Sequence, residues 1–178
     1  MRVTEHRLTE ARYSPSPHQD NRPSAEISLI VVHGISLPPG KYGGNEVEEF
    51  FLGRLDTSLP ALQDLHGVEV SSHLFIRRSG EVVQFVDFDR RAWHAGDSEF
   101  RGRSCCNDFS IGIELEGTDS TDYEDIQYNL LARVCRTLMD EYGISEVHGH
   151  CDIAPGRKTD PGPSFEWRKL ERLLAQMV

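Results

Sequence analysis

The sequence has no long hydrophobic run and few cysteines. No apolar segment of the 178 residues approaches the roughly 18–20 residues of a transmembrane helix, and residues 1–20 have no hydrophobic signal core. The four cysteines, Cys105, Cys106, Cys135 and Cys151, lack the dense spacing of a secreted disulfide scaffold. We therefore expect reduced thiols, no membrane insertion and a cytoplasmic location.

Positive charge is also scarce. The chain has 19 Lys and Arg against 29 Asp and Glu, a formal net charge of −10. Binding to nucleic acid requires clustered Lys and Arg that displace counterions, so we expect no nucleic-acid partner. Internal repeats, linkers and low-complexity tracts are missing as well, and 38% hydrophobic residues suit one sizeable core. The prediction is a single domain over residues 1–178, present as a monomer.

Hydrophobic periodicity predicts strands mixed with helices. Residues 1–24 are polar and contain three prolines, so this segment should wrap the surface with little regular structure. Apolar runs, alternation and helical spacing predict further elements: strands at 28–33, 109–116 and 146–150, a hairpin over 70–88, and helices over 46–55, from about 122 to 142, and from about 164. The fold class is therefore α/β or α+β, with polar side chains at strand ends.

A polar, turn-rich run over residues 148–163 resembles half of a metal site. His and Asp side chains on such a loop can converge on one zinc ion. The third ligand is expected to be His33, because it ends the apolar run 28–32 and is followed by Gly34, a pattern typical of a buried strand with a polar residue at its tip. Two imidazoles and one carboxylate fill three of the four positions around zinc and leave one open, which is typical of catalytic sites.

Two carboxylates and one lysine extend this pattern toward hydrolysis. Strand alternation places Glu114 and Glu116 on the same face, so either could accept a proton from an attacking water, and the spacing does not choose between them. Lys158, two residues before Asp160, could offer positive charge to a developing oxyanion.

Four segments together resemble the AmpD-type N-acetylmuramyl-L-alanine amidases across nearly the whole chain. They are residues 32–40 (VHGISLPPG), 91–96 (RAWHAG), 106–119 and 149–163, and the last is the strongest match. The resemblance implies the zinc-amidase fold shared with peptidoglycan recognition proteins, a central mixed β-sheet flanked by helices.

The resemblance also implies roles for individual residues. His33, His150 and Asp160 match the family's ligands for one Zn²⁺ per chain, Glu114 matches its catalytic acid or base, and Lys158 its transition-state stabiliser. Five residues are candidates for binding substrate: Gly34, His73, Trp93, His94 and Arg103. His73 and His94 could instead support the metal ligands from behind.

The implied substrate is an anhydro-N-acetylmuramyl peptide, cut between the lactyl carbonyl and L-alanine during cytoplasmic cell-wall recycling. The family also lowers the muropeptide signal that induces β-lactamase. The chain departs from the family at Gly34, where relatives commonly have Asn, and at Glu69 and Cys105, where they often have Arg. Two alternatives remain: a muropeptide-binding module without catalysis, and a zinc hydrolase acting on another amide.

Overall fold

The structure is a computed structural model that describes residues 1–177. Within this range the strands are β1 (Val3–Thr4), β2 (Arg7–Leu8), β3 (Arg12–Tyr13), β4 (Gln19–Asn21), β5 (Leu29–Ile35), β6 (Leu74–Ile76), β7 (Val82–Gln84), β8 (Arg90–Ala92), β9 (Glu99–Phe100), β10 (Arg103–Ser104), β11 (Ser110–Glu116) and β12 (Glu146–Gly149). The α-helices are α1 (Glu46–Phe51), α2 (Asp125–Tyr142), α3 (His150–Ile153) and α4 (Trp167–Ala175). Short 3₁₀ helices cover Pro60–Leu65 and Cys106–Asp108.

A six-stranded mixed sheet organises the chain, in the order β12-β5-β11-β6-β7-β3. Strands β12, β5, β11 and β6 pair with one another in parallel, in that order, whereas β6 and β7 form an antiparallel hairpin. Strands β5 and β11 lie in the interior of the sheet, which explains why most of their residues are buried. The predicted fold class, a mixed sheet flanked by helices, is confirmed.

Alternation along β5 directs its side chains into different layers. Ile30 and Val32 belong to the core that contains α2 and α4, whereas Leu29 and Val31 pack into a cluster on the opposite face. His33 continues the second series, so its side chain leaves the α2 face. Parallel pairing places His33 beside Glu114 of β11. The sheet therefore brings two candidate site residues together on one face.

Element boundaries differ from the predictions in several places, and α1 ends at Phe51 rather than at residue 55. The N-terminal segment contains four short strands, and β3 joins the main sheet by pairing with β7. Helix α2 begins at Asp125 because Glu124 and Gln127 form a capping box, rather than at a cap near residue 122. Helix α4 begins at Trp167, after a turn in which the Phe165 amide donates to the Gly162 carbonyl.

The cysteines match the expectation of reduced thiols. All four cysteines are free. Within residues 1–177, no helix combines the length and the apolar character needed to cross a membrane.

An ion-pair cluster ties the N-terminal segment to α1, and it predicts how stability depends on pH. The Arg12 guanidinium donates two hydrogen bonds to Glu48, of 2.7 and 2.8 Å, and Ser14 adds another. Arg12 is the main cause of a Glu48 pKa lowered from 4.5 to about 2. A carboxylate with a lowered pKa in the folded state stabilises the protein above its unfolded pKa, and this contribution is lost as the pH falls from about 4.5 to about 2.

Glu48→Gln is therefore expected to reduce the free energy of unfolding by about 1–2 kcal/mol at pH 7. The effect is limited because Arg12 is half-exposed and solvent screens its ion pair with Glu48. The difference from wild type should shrink as the pH falls below about 4.5. Urea denaturation of the chelator-treated proteins at several pH values measures this. Glu49→Gln, on the same helix, is the matched control and should change stability by less than about 0.5 kcal/mol. A Glu48→Gln penalty that does not vary with pH would contradict the argument.

Candidate metal and catalytic site

The candidate site lies where three neighbouring parallel strands end. His33 is near the end of β5, Glu114 is near the end of β11, and His150 directly follows β12 as the first residue of α3. Asp160 lies on the loop after α3, and its carbonyl accepts a hydrogen bond from the Cys151 amide, which folds the loop back toward the sheet. Residues far apart in sequence therefore meet at one sheet edge.

Three side chains converge on one point. The Nδ1 atoms of His33 and His150 are 3.0 Å apart, and Asp160 Oδ2 lies 3.1 Å from the first and 3.0 Å from the second. Both histidines are buried, and the Asp160 side chain is 18% exposed. This group has the composition and spacing to hold a metal ion.

The protonation of these groups favours a cation at that point. His150 Nε2 donates to the Ala95 carbonyl at 3.0 Å, and a carbonyl can only accept, so the Nδ1 lone pair of His150 faces the cluster. Burial lowers the His33 pKa to about 4. Burial raises the Asp160 pKa, but the adjacent His150 and His33 rings outweigh it and hold this pKa well below its usual value. Two nitrogen lone pairs and a carboxylate oxygen that point at one place fit zinc.

Glu114 lies beside this group in a different electrostatic environment. Its side chain is buried, and its Oε2 atom has no hydrogen-bond partner among the described residues. Burial raises the Glu114 pKa well above its usual value, Asp160 raises it further, and Lys158 opposes the shift. A buried carboxyl group that retains its proton more strongly than an exposed one is typical of acid–base catalysts.

Glu116, the alternative that alternation left open, is used elsewhere. Its carboxylate accepts hydrogen bonds from the Gly43 amide at 2.6 Å and the Arg78 amide at 2.9 Å. Arg77 also donates to the Gly44 carbonyl. Glu116 therefore fastens the loop between β5 and α1 to the β6–β7 hairpin, whereas Glu114 faces the cavity.

A cavity of about 310 Å³ opens over the cluster. Its polar wall comprises the converging trio, Glu114 and Lys158. The apolar part of its lining is formed by Ile35, Leu37, Phe50, Phe51, Leu65, Val68 and Val70. A second cavity of about 210 Å³ shares Val70, His94, His150 and Lys158 with it. The site can thus accept a molecule that extends to both sides of the cluster.

The candidate substrate-binding residues separate into two groups. Gly34 and His94 line the main cavity, and Trp93 lines the adjoining one. His73 is fully buried, and its ring nitrogens contact the Gly112 amide, the Arg90 carbonyl and Arg22, so it is not placed to touch a substrate. Arg103 pairs with Glu26 on the surface and stacks on Phe109, outside both cavities. The prediction that His73 and Arg103 bind substrate is corrected accordingly.

Sequence reasoning missed Tyr123, which supports the Asp160 loop. Its hydroxyl donates to the Pro161 carbonyl at 2.8 Å, next to Asp160. A Cβ atom on Gly34 would overlap this hydroxyl, and one on Gly117 would overlap the ring. Gly34 follows a site residue and Gly117 follows β11. These two glycines were the available sequence signal that a large side chain packs against the strand ends.

Tyr123→Phe is expected to weaken metal binding about 3- to 10-fold, because it removes one buried hydrogen bond worth about 1 kcal/mol and leaves the Pro161 carbonyl unpaired. Competition with a chromogenic zinc chelator measures the change. Tyr42→Phe is the control, since its hydroxyl makes only a long 3.5 Å contact with Thr118. Equal zinc affinity in Tyr123→Phe and wild type would show that this bond does not position Asp160.

Comparison with known proteins identifies similar chains. The family model described as N-acetylmuramoyl-L-alanine amidase matches residues 23–163. The 1,6-anhydro-N-acetylmuramyl-L-alanine amidase AmpD of Escherichia coli K12 is 53% identical over 173 residues, covering 95% of this chain and 94% of that protein. The AmpD protein of Haemophilus influenzae is 46% identical over 167 residues, covering 91% of each.

Solved structures agree with these sequence matches. A crystal structure of a selenomethionine AmpD derivative has a TM-score of 0.96 and 52% identity, covering 98% of this chain and 99% of that one. The E. coli amidase AmiD, in complex with anhydro-N-acetylmuramic acid-L-Ala-D-γ-Glu-L-Lys, has a TM-score of 0.61 and 31% identity, covering 83% of this chain and 57% of that one.

Proposed function

The chain belongs to the N-acetylmuramoyl-L-alanine amidase family, and from this membership we propose that it hydrolyses the amide between the lactyl group of anhydro-N-acetylmuramyl peptides and L-alanine. The observation that carries the proposal is the convergence of His33, His150 and Asp160 in one cavity, beside a buried Glu114. The fold of the chain matches that of AmpD with a TM-score of 0.96.

The three converging side chains would hold one zinc ion. When bound, zinc supplies Lewis acidity toward the amide carbonyl and makes water reactive near neutral pH. The chain contributes the orientation of its ligands: His150 is fixed through the Ala95 carbonyl, and the Asp160 loop through Tyr123.

Glu114 is the proposed proton carrier. It accepts a proton from the attacking water and delivers it to the nitrogen of the departing L-alanine, which would otherwise leave as an unstable anion. Burial and the neighbouring Asp160 raise its proton affinity, which favours uptake of the proton that it later delivers.

Lys158 is the proposed source of positive charge for the developing oxyanion. It lines both cavities, and its backbone amide donates to the Ala154 carbonyl at 3.0 Å, which fixes the segment relative to α3. Gly34 and Trp93 are proposed to contact or shape the substrate, since each lines one of the two cavities.

We further place the activity in the cytoplasm, in a monomer that recycles cell-wall fragments, and an effect on β-lactamase induction stays a prediction. AmpD relatives that match over nine-tenths of the chain support the recycling role. The complete set of ligands and a buried carboxyl group favours an enzyme over a muropeptide-binding module, because binding alone needs neither.

Product analysis by mass spectrometry tests the cleaved bond. The purified protein is incubated with anhydro-N-acetylmuramyl tripeptide, and we expect free tripeptide and intact anhydro-N-acetylmuramic acid. Loss of an acetyl group, or cleavage inside the peptide, would favour another amide hydrolase. Intact substrate that co-purifies with the protein would favour the binding module.

A further inference from the structure

Behind the proposed metal ligand His33 lies a second histidine that contacts no other candidate ligand. His33 Nε2 is 2.9 Å from His94 Nδ1, and the two rings are nearly perpendicular. His94 Nε2 is 3.2 Å from the Ser110 hydroxyl, which donates to the Cys106 carbonyl at 2.6 Å. A chain of hydrogen bonds therefore runs from the site through His94 to a backbone carbonyl.

The carbonyl end sets the direction of every bond in this chain. A carbonyl can only accept, so the single proton of the Ser110 hydroxyl is committed to Cys106. Ser110 must then accept from His94, which places the proton of the neutral His94 ring on Nε2. His94 Nδ1 is left as an acceptor, so His33 must carry its own proton on Nε2 and leave Nδ1 unprotonated. The reverse direction would protonate the atom that faces His150 and Asp160.

The surrounding backbone is built around the His94 ring. A Cβ atom on Gly112 of β11 would overlap the ring, so glycine leaves the space that the ring occupies. The Asn107 carboxamide oxygen accepts hydrogen bonds from the amides of both His94 and Ala95, at 3.1 and 2.8 Å. Ala95 in turn accepts from His150. One two-residue segment thus contacts both histidines of the cluster from behind.

We infer that His94 is a positioning residue that holds His33 in the Nδ1-unprotonated tautomer and thereby raises zinc affinity, rather than a residue that binds substrate. The inference rests on the proposed function, because it takes His33 to be a zinc ligand. Partners of this kind typically change metal affinity 10- to 100-fold.

Two substitutions of His94 distinguish the effect of its Nδ1 hydrogen-bond acceptor from the effect of its side-chain volume. His94→Phe fills the space over Gly112 but has no acceptor, and is expected to lower zinc affinity about 10- to 100-fold. His94→Asn can place its carboxamide oxygen where Nδ1 was and should recover most of the affinity. Ser110→Ala removes the hydroxyl that sets the direction of the hydrogen bonds. It should cause an intermediate loss of zinc affinity, with little change in packing. Chelator competition measures zinc affinity, and circular dichroism checks folding.

A second readout follows the tautomer itself. Long-range ¹H–¹⁵N NMR of the zinc-free protein is expected to show His33 and His94 both protonated at Nε2. In Ser110→Ala, part of the His94 population should move to the Nδ1-protonated form.

The outcomes distinguish failure of the proposed function from failure of the positioning role of His94. If wild type fails to bind zinc, the proposed function fails. If wild type binds zinc and folded His94→Phe binds it equally well, the positioning role of His94 is overturned while the function stands. If His94→Phe does not fold, Ser110→Ala and the NMR tautomers decide, and an Nδ1-protonated His94 in wild type would overturn the inference.

Discussion

Replacing Asp160 with alanine is expected to abolish stable zinc binding and, with it, amide hydrolysis. The substitution removes the only negative charge of the converging trio and leaves two neutral nitrogen donors, so zinc affinity should fall by about 100-fold or more. Zinc content after dialysis, measured by mass spectrometry of the metal, reports the loss, and circular dichroism reports folding.

Asp152 provides a matched control for Asp160. It lies on the same segment, and its carboxylate accepts from the Gly149 amide at 2.8 Å, a role that an Asn oxygen can fill. Asp152→Asn should retain zinc, whereas Asp160→Asn should lose most of it, because only the second removes a charge from the cluster. Retention of zinc at wild-type affinity by Asp160→Ala would contradict the assignment of this ligand.

Glu114→Gln is expected to keep zinc and lose turnover. Glutamine has nearly the same shape but cannot exchange a proton, so kcat should fall about 10²- to 10⁴-fold. The binding of substrate should change far less, since the cavity keeps its size. Steady-state kinetics with a zinc-loaded sample separates kcat from KM.

Glu116→Gln is the control from the same strand face. One Gln oxygen can still accept from Gly43 or Arg78, so the loop should loosen and kcat should change by less than about 10-fold. If Glu116→Gln lost as much activity as Glu114→Gln, the distinction between a proton carrier and a loop anchor would be wrong.

The sequence alone predicts the fold class and the location of the cluster well, because both depend on local patterns. An apolar run that ends in His33 predicts a buried strand, and parallel strands bring their carboxyl ends to one edge. Strand alternation also places Glu114 and Glu116 on one face. It cannot choose between them, since the choice depends on amides from Gly43 and Arg78, which are distant in sequence.

The supporting residues are the part that local patterns do not predict. The sequence left open whether His94 binds substrate or supports a ligand, because its contact with His33 joins residues 61 positions apart. Tyr123 had no motif at all, and its role comes from Gly34 and Pro161, which approach only in the folded chain. Such contacts depend on how the loops pack over the sheet.

The central claim is that one zinc ion held by His33, His150 and Asp160 is required for cleavage of the muramyl amide. The most direct test is to remove metal with a chelator, remove the chelator, and titrate zinc back while following tripeptide release from anhydro-N-acetylmuramyl tripeptide. We predict no release without metal, and activity that rises in proportion to added zinc and levels off at one equivalent per chain. Full activity in the metal-free protein, or a bound equivalent of zinc that restores none, would contradict the account.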